Sequence, residues 1–288
     1  MKRNAIIRIV LWSIALLVLL SVLLTALYVP GALGHIRRES SGEFSGFQNI
    51  QGKGFTMDAA SVRDLEIEWA AGSIVIQPID IAEICIAEEG AEQSSNPMVW
   101  NVRDRKLSIQ YCKDPERVFV FGMDPELESK DLIIQVPLDW QCNTLEIEAA
   151  TAKVNIRDLA IREVDFDGAS GTCEFESCSV DKLDVDTASG DIRFSGSLIT
   201  LDCDAASASV YAVLTNVPSR LDMDSMSGDL DITLPADAGF TLRMDALSSN
   251  VQSDFETTTK NETLVAGDGH CRIEVDAMSG DVIIRKAS

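Results

Sequence analysis

The chain has 288 residues, enough for one or two domains, with an ordinary apolar share of 46% and only 6% aromatics, which suits a core of aliphatic and small side chains. Its 24 Lys and Arg against 46 Asp and Glu give a net charge of −22, a balance that repels nucleic acid and anionic lipid and tolerates cations or basic partners. Seven cysteines without a Cys-x-x-Cys pair, and only two histidines, His35 and His270, exclude the paired spacings of a zinc site.

From the N-terminus, residues 1–8 carry Lys2, Arg3 and Arg8 and no acid. Residues 9–29, "IVLWSIALLVLLSVLLTALYV", hold 21 residues without a charge. At about 1.5 Å per helical residue they span a hydrocarbon core of about 30 Å. The flanking positive charge predicts a single-pass cell-membrane protein: 1–8 cytoplasmic, 9–29 a transmembrane helix, the C-terminal domain extracytoplasmic. Trp12 and Tyr28 stand near the two interfaces. The competing reading is a cleaved signal peptide ending at Ala32-Leu33-Gly34; the apolar run exceeds the usual signal core of about 7–15 residues, which favours an anchor. Residues 30–46, rich in Gly and Ser, read as a flexible stalk.

Residues 47–144 form an irregular half. Strand-like alternation occurs at 79–87, 106–112 and 131–137, separated by excursions at 88–105 and 113–130. "IIQVPLDW" (133–140) echoes "DITLPADAGF" (231–240), each ending a strand in proline and then aspartate. No amphipathic helical pattern of useful length occurs. "GKGF" at 52–55 lacks the glycine spacing and the Ser/Thr of a phosphate-binding loop.

Residues 145–288 are regular. "LEIEAATAKVNI" (145–156), "VDFDGASGTCEF" (164–175), "LDVDTASGDIRF" (183–194), "LDCDAASASVYA" (201–212), "LDMDSMSGDLDI" (221–232), "LRMDALSSNVQS" (242–253) and "IEVDAMSGDVII" (273–284) repeat one pattern, with an earlier copy, "LEIEWAAGSIVI", at 65–76. The pattern is Φ-x-Φ-[DE]-x-[small or Met]-S-G-[DS]-Φ-x-Φ, with Φ apolar. From 145 onward the copies start 19, 19, 18, 20, 21 and 31 residues apart. Each Φ-x-Φ is strand alternation with one buried face. The Ser-Gly between them marks a corner, where Gly171, Gly190, Gly228 and Gly280 supply a positive φ or a close approach and Asp186, Asp224 and Asp276 accept from turn amides.

Two short strands cannot bury their apolar face alone, but stacked copies can. The predicted fold is therefore all-β: a parallel β-solenoid, β-helix-like, of ~19–21-residue rungs. A meandering β-sandwich uses the same pattern but gives no reason for a constant period. Ile147, Phe166, Val185, Cys203, Met223, Met244 and Val275 form one expected buried column. Val154, Cys173, Ile192, Val210, Leu230, Val251 and Val282 form another. Corners at 151–153 and 207–209 lack the glycine and should be less sharp.

The chemistry is sparse. A Ser–His–Asp triad needs a rigidly held histidine, whereas His35 lies in the stalk and His270 in a loop. No catalytic, cofactor-binding or metal residue is assigned, and no cofactor is expected. Stacking places Asp165, Asp184, Asp202 and Asp222, and Asp167, Asp186, Asp204, Asp224, Asp245 and Asp276, in like-charged columns. Hydrogen bonds to corner amides and solvent screening offset that repulsion; the alternative is Ca²⁺ bridging the rungs, although the glycine-rich nonapeptide calcium repeat is missing. The cysteines Cys85, Cys112, Cys142, Cys173, Cys178, Cys203 and Cys271 read as small apolar fillers, with one or two disulfides open outside the cytosol.

At the Φ-x-Φ-D-x-x-S-G-D-Φ-x-Φ units, the proline-ended strands and the closing "GDGHCRIEVDAMSGDVIIRK" (267–286), the chain resembles the bacterial β-strand-repeat "putative adhesin" family, a domain-of-unknown-function family that includes LiaG-like membrane-anchored proteins. The resemblance covers 47–288 and implies a cell-envelope location, but it supplies no catalytic residues. The expectation is a membrane-anchored interaction or scaffold domain binding an unidentified envelope protein or polymer, with no nucleic-acid partner and no catalysis. The alternative is a carbohydrate-active β-helix enzyme on envelope polysaccharide, which the few basic residues of the repeat half disfavour. A third reading is a structural stalk that holds distance.

Overall fold

The computed structural model describes residues 48–49, 54–90, 97–112, 129–261 and 263–287. The predicted anchor and stalk lie outside them, as do 91–96 and 113–128 of the two excursions. Among the described residues no helix is long and apolar enough to cross a membrane. The single helical element among the described residues is the 3-10 turn Ala59–Ser61, which Asp58 caps by accepting from the Ala60 amide at 3.0 Å.

All else is strand, and the chain is all-β and solenoid-like. Each rung contributes one strand to each of two parallel ladders, here wall A and wall B. In space, wall A runs Lys106–Gln110, Asp64–Trp69, Gln141–Ala149, Ala160–Gly168, 179–187, 200–207, Arg220–Ser227, Cys271–Ser279, Phe240–Ser248. Wall B runs Lys130–Pro137, Gly72–Ile79, Lys153–Arg157, 172–176, 191–195, 210–213, Leu230–Leu234, Val282–Lys286, Val251–Ser253. Strand pairing runs on unbroken over Thr172–Leu214, which wraps more than two rungs and turns at Ser177, Gly190 and Gly196.

The register places Φ on Φ: Val164 beside Leu183, Phe166 beside Val185, Val154 beside Cys173. The wall A column Ile147, Phe166, Val185, Cys203, Met223 and Val275 is at most 4% exposed, and the wall B column from Val154 to Leu230 and Val282 at most 1%. Each fully buried aliphatic side chain contributes about 1.5–3 kcal/mol, so stacking supplies what one rung lacks.

The order of the rungs differs from the order of the repeats. The last repeat, Cys271–Lys286, is inserted between the 220–234 and 240–253 rungs. The chain passes beyond that place, turns through the hairpin Thr257–Lys260 and Thr263–Ala266, and comes back to fill it. At the other end, Asp64–Ile79 lies inside the rung made by Lys106–Gln110 and Lys130–Pro137. Met244 and Val251 thus close the stack rather than sit within it. The irregular half continues the same sheet, since Asp64–Trp69 pairs with Gln141–Ala149. The first excursion leaves and returns through antiparallel strands, Glu83–Glu89, which pairs with Gly54–Asp58 and with Lys130–Pro137 of wall B, and Val99–Arg103, which pairs with Lys106–Gln110 of wall A. The echoed proline turns match: Trp140 N donates to Pro137 O at 3.1 Å and Ala238 N to Pro235 O at 3.0 Å.

At the corners, Gly190 has φ 125° and stacks on Gly171, whose carbonyl oxygen a Cβ at 190 would overlap. At this corner the expected capping of turn amides by Asp186 is replaced by bonds between rungs. Ala169 N donates to Ala149 O at 3.0 Å and Ser170 N to Ala150 O at 2.9 Å, and Asp186 is exposed. There the rung beneath offers the corner amides carbonyls; at later corners side chains also accept, Asp281 N donating to Asp229 Oδ1 at 2.8 Å and Asn250 N to Asp281 Oδ1 at 2.9 Å. At the corners without glycine, the buried Ala152 and Ala208 make the turn without a left-handed φ.

Candidate functional site

The outward positions of wall A carry carboxylates in two columns. The first runs Glu66, Glu146, Asp165, Asp184, Asp202, Asp222, Glu274; the second runs Glu68, Glu148, Asp167, Asp186, Asp204, Asp224, Asp276, Asp245. Cations gather on the first column. Lys106 Nζ lies 2.9 Å from Glu66 and 2.7 Å from Glu146, Arg272 lies 2.6 Å from Glu274, Lys182 pairs with Asp184 and Arg220 with Asp222. Burial, then the neighbouring carboxylates, raise the pKa values of Asp165, Asp167, Asp202, Asp204 and Glu148. No cation figures among the causes at Asp167 or Asp204. Among the described residues no group of three or more His, Cys, Asp or Glu side chains is placed to hold a metal ion.

The cysteines are all free thiols, six of them buried. Burial pushes Cys142, Cys203 and Cys271 up to about 12 and Cys178 to about 11, so they pack as neutral groups. His270 is exposed, its amide donating to Asp268 Oδ1 at 3.0 Å; His35 lies outside the described residues.

The outward face of wall B is different. A groove of about 370 Å³ crosses rungs four to eight of the stack, lined by Glu174, Arg193, Tyr211, Val213, Asp231 and Arg285 among others. These residues occupy the x and flanking positions of the second Φ-x-Φ, with Tyr211 beside Asp231 and Thr233 beside Arg285. The Arg193 guanidinium lies 4.6 Å from the Tyr211 ring centroid and bonds Asp191 at 2.8 Å. Arg285 grips Asp231 with two bonds of 2.8 Å. Asn155 donates to Glu174 at 3.2 Å and Arg157 to Glu176 at 3.3 Å. Arg193 and Arg285 are paired with Asp191 and Asp231, Glu174 accepts from the neutral amide of Asn155, and Val213 stands 56% exposed two residues from Tyr211. Arginine donors and carboxylate acceptors stand side by side along the groove. The sequence held a signal for this: stacking the x positions of wall B brings Arg193, Tyr211 and Asp231 together.

A second feature carried no signal. Lys130 is fully buried, its Nζ 2.5 Å from Glu88 Oε1, 2.6 Å from Tyr111 O and 3.8 Å from the Tyr111 ring centroid. Trp69 Nε1 bonds the Lys130 carbonyl at 2.9 Å, and Glu88 accepts from the Met98 amide at 3.3 Å. One ion pair thus ties the bases of both excursions together.

The family model described as Toastrack DUF4097 matches residues 62–285. No curated protein matches the chain. Among solved structures, a "putative adhesin" from Bacteroides fragilis is 15% identical with a TM-score of 0.45, covering 81% of this chain and 97% of its own. A "putative cell adhesion protein" from Clostridium sporogenes is 9% identical with a TM-score of 0.37, covering 82% and 100%. A "putative lipid binding protein" from Parabacteroides distasonis is 11% identical with a TM-score of 0.26, covering 85% and 98%. With TM-scores below 0.5, none of the three bears on function.

Proposed function

The chain belongs to the Toastrack DUF4097 family, and on that premise we propose that it is a non-catalytic interaction domain of the cell envelope, held at the membrane by residues 9–29 with the solenoid-like domain outside, and that its wall B groove holds a neutral, hydroxyl-rich glycan segment. The observation that carries this reading is the groove around Tyr211, where Arg193 and Arg285 are each paired with an aspartate. Sugar hydroxyls both donate and accept, and a C–H-rich sugar face packs on an aromatic ring. Paired Arg and Asp side chains present both functions at fixed positions, which limits the ordering cost of binding. An anionic polymer is disfavoured by the net charge of −22.

The test is a titration of the full chain in detergent with neutral hexose and N-acetylhexosamine oligomers. Saturable binding is expected, weakened at least tenfold in Tyr211→Ala with an unchanged melting temperature. Binding that survives Tyr211→Ala, or no binding to any oligomer, refutes the groove reading. Release of shortened oligomers would make the chain an enzyme.

A further inference from the structure

The outward positions of wall B form two columns where the groove crosses the strands. One carries the longer side chains Arg193, Tyr211 and Asp231; the other carries the short Ser195, Val213 and Thr233. The short column makes a trough that runs along the stack axis, three rungs long, or about 14 Å at rungs about 4.8 Å apart. Long side chains close both ends. Arg157 grips Glu176 at 3.1 Å at one end, and Arg285, in register with Thr233, grips Asp231 at the other. The chemistry changes rung by rung. The middle rung is apolar: the half-buried Tyr211 ring lies beside Val213, 56% exposed although an outward position needs no apolar residue for packing. The rungs on either side are polar. Ser195 Oγ donates to Phe175 O at 3.3 Å and accepts from Ser177 N at 3.0 Å, which leaves it one lone pair for a further donor. Arg193 stands beside it, and Asp231 stands beside Thr233 on the far side.

We infer, resting on the glycan reading above, that the trough selects an extended, β-(1→4)-linked glycan laid along the stack axis, one sugar per rung, in three subsites. Such a chain advances by one pyranose ring per unit, close to the rung spacing, whereas an α-(1→4)-linked chain coils away from a straight trough. The middle sugar sets its C–H face on Tyr211 and Val213. Its neighbours bond Arg193 and Ser195 on one side and Asp231 and Thr233 on the other. Strand spacing is thus the ruler that reads the linkage, and the two Arg–carboxylate pairs limit the bound segment to three units.

The test is a calorimetric titration of the full chain in detergent with glucose oligomers of one to six units, β-(1→4)- or α-(1→4)-linked, and with β-(1→4)-linked N-acetylglucosamine oligomers. Affinity in a β series should rise at least tenfold from one unit to three and less than twofold from three to six. The α series should bind at least tenfold more weakly at three units. Ser195→Phe and Thr233→Phe, two rungs apart, should each weaken the β trimer at least tenfold. Gln252→Phe, exposed on the same wall in the rung beyond Arg285, should leave it unchanged. Affinity that is flat or still climbing beyond three units, equal binding of the α series, or binding that survives either end substitution while Tyr211→Ala abolishes it, overturns the axial placement and leaves the glycan reading standing. No binding in any series overturns both.

Discussion

Gly190→Ala adds a single methyl group at a corner of the stack. Gly190 sits at φ 125°, and its Cβ would overlap the Gly171 carbonyl oxygen while lying 2.9 Å from the Gly171 carbonyl carbon and 3.1 Å from its nitrogen. The obstacle is backbone, so no side-chain rotation relieves it. The non-glycine φ costs about 1–3 kcal/mol, and forcing apart a packed contact costs about 1–3 kcal/mol more. Together they come to about 4 kcal/mol, a large share of the ~5–15 kcal/mol by which a domain is stable. For a domain of this size that lowers the melting temperature by roughly 8–16 °C. Thermal melts followed by circular dichroism measure it, with Asp186→Ala as the comparison. Asp186 is exposed between Asp167 and Asp204 in the second carboxylate column, so its removal should be neutral or slightly stabilising. A melting temperature for Gly190→Ala equal to that of the wild type would refute the tight-corner account.

Two further outcomes follow from buried and half-buried charge. Lys130→Met leaves the Glu88 carboxylate, only 8% exposed, without its counter-charge; the expected loss is about 3–5 kcal/mol, partly recovered by adding Glu88→Gln, and denaturant unfolding that shows no loss in the single variant contradicts the buried-pair account. The second outcome concerns pH. Asp165, Asp167, Asp202, Asp204 and Glu148 have raised pKa values, so the folded chain holds these protons more tightly than the unfolded one. Their ionisation costs stability as pH rises through the raised range, and acidification relieves it. The opposite case is Glu66, where bonds from Ser108 and Lys106 outweigh burial, and Glu274, held by Arg272; both lose stability only lower on the pH scale. Asp204→Asn should therefore melt higher than the wild type at neutral pH, and the gap should narrow as the pH is lowered into the carboxylate range; a gap that widens on acidification would contradict the directions of these shifts.

The rung was legible because its physics is local: alternation fixes the buried face, and glycine fixes the corner. Which rung lies beside which was not. Every copy presents the same Φ ladder to its neighbours, so Cys271–Ser279 fits above Arg220–Ser227 as well as Phe240–Ser248 does. The hint was the 31-residue interval before the last copy, long enough for the hairpin that lets the chain overshoot and return. The Asp186 cap was misread because an isolated turn needs a side-chain acceptor, whereas a stacked turn has carbonyls beneath it. The Lys130–Glu88 pair joins residues 42 positions apart without any pattern, and only the meeting of two excursions brings them together. Arg193, Tyr211 and Asp231 lay within reach, because the same columns that predict the core also predict which x positions share the outer face.

Those x positions are where a fold of near-identical rungs becomes specific. Eight carboxylates stand in the second column of wall A, from Glu68 to Asp245. At rungs about 4.8 Å apart each adjacent pair costs on the order of 1 kcal/mol in water, so the column opposes folding by an amount comparable to the net stability of a domain. The burial of Φ residues offsets it. Wall A is thereby closed to polyanions and to a second copy, since within about 8 Å of the face salt screens little. The wall B groove around Tyr211, where Arg193 and Arg285 are paired with aspartates, is the surface on which the proposed neutral polymer would settle.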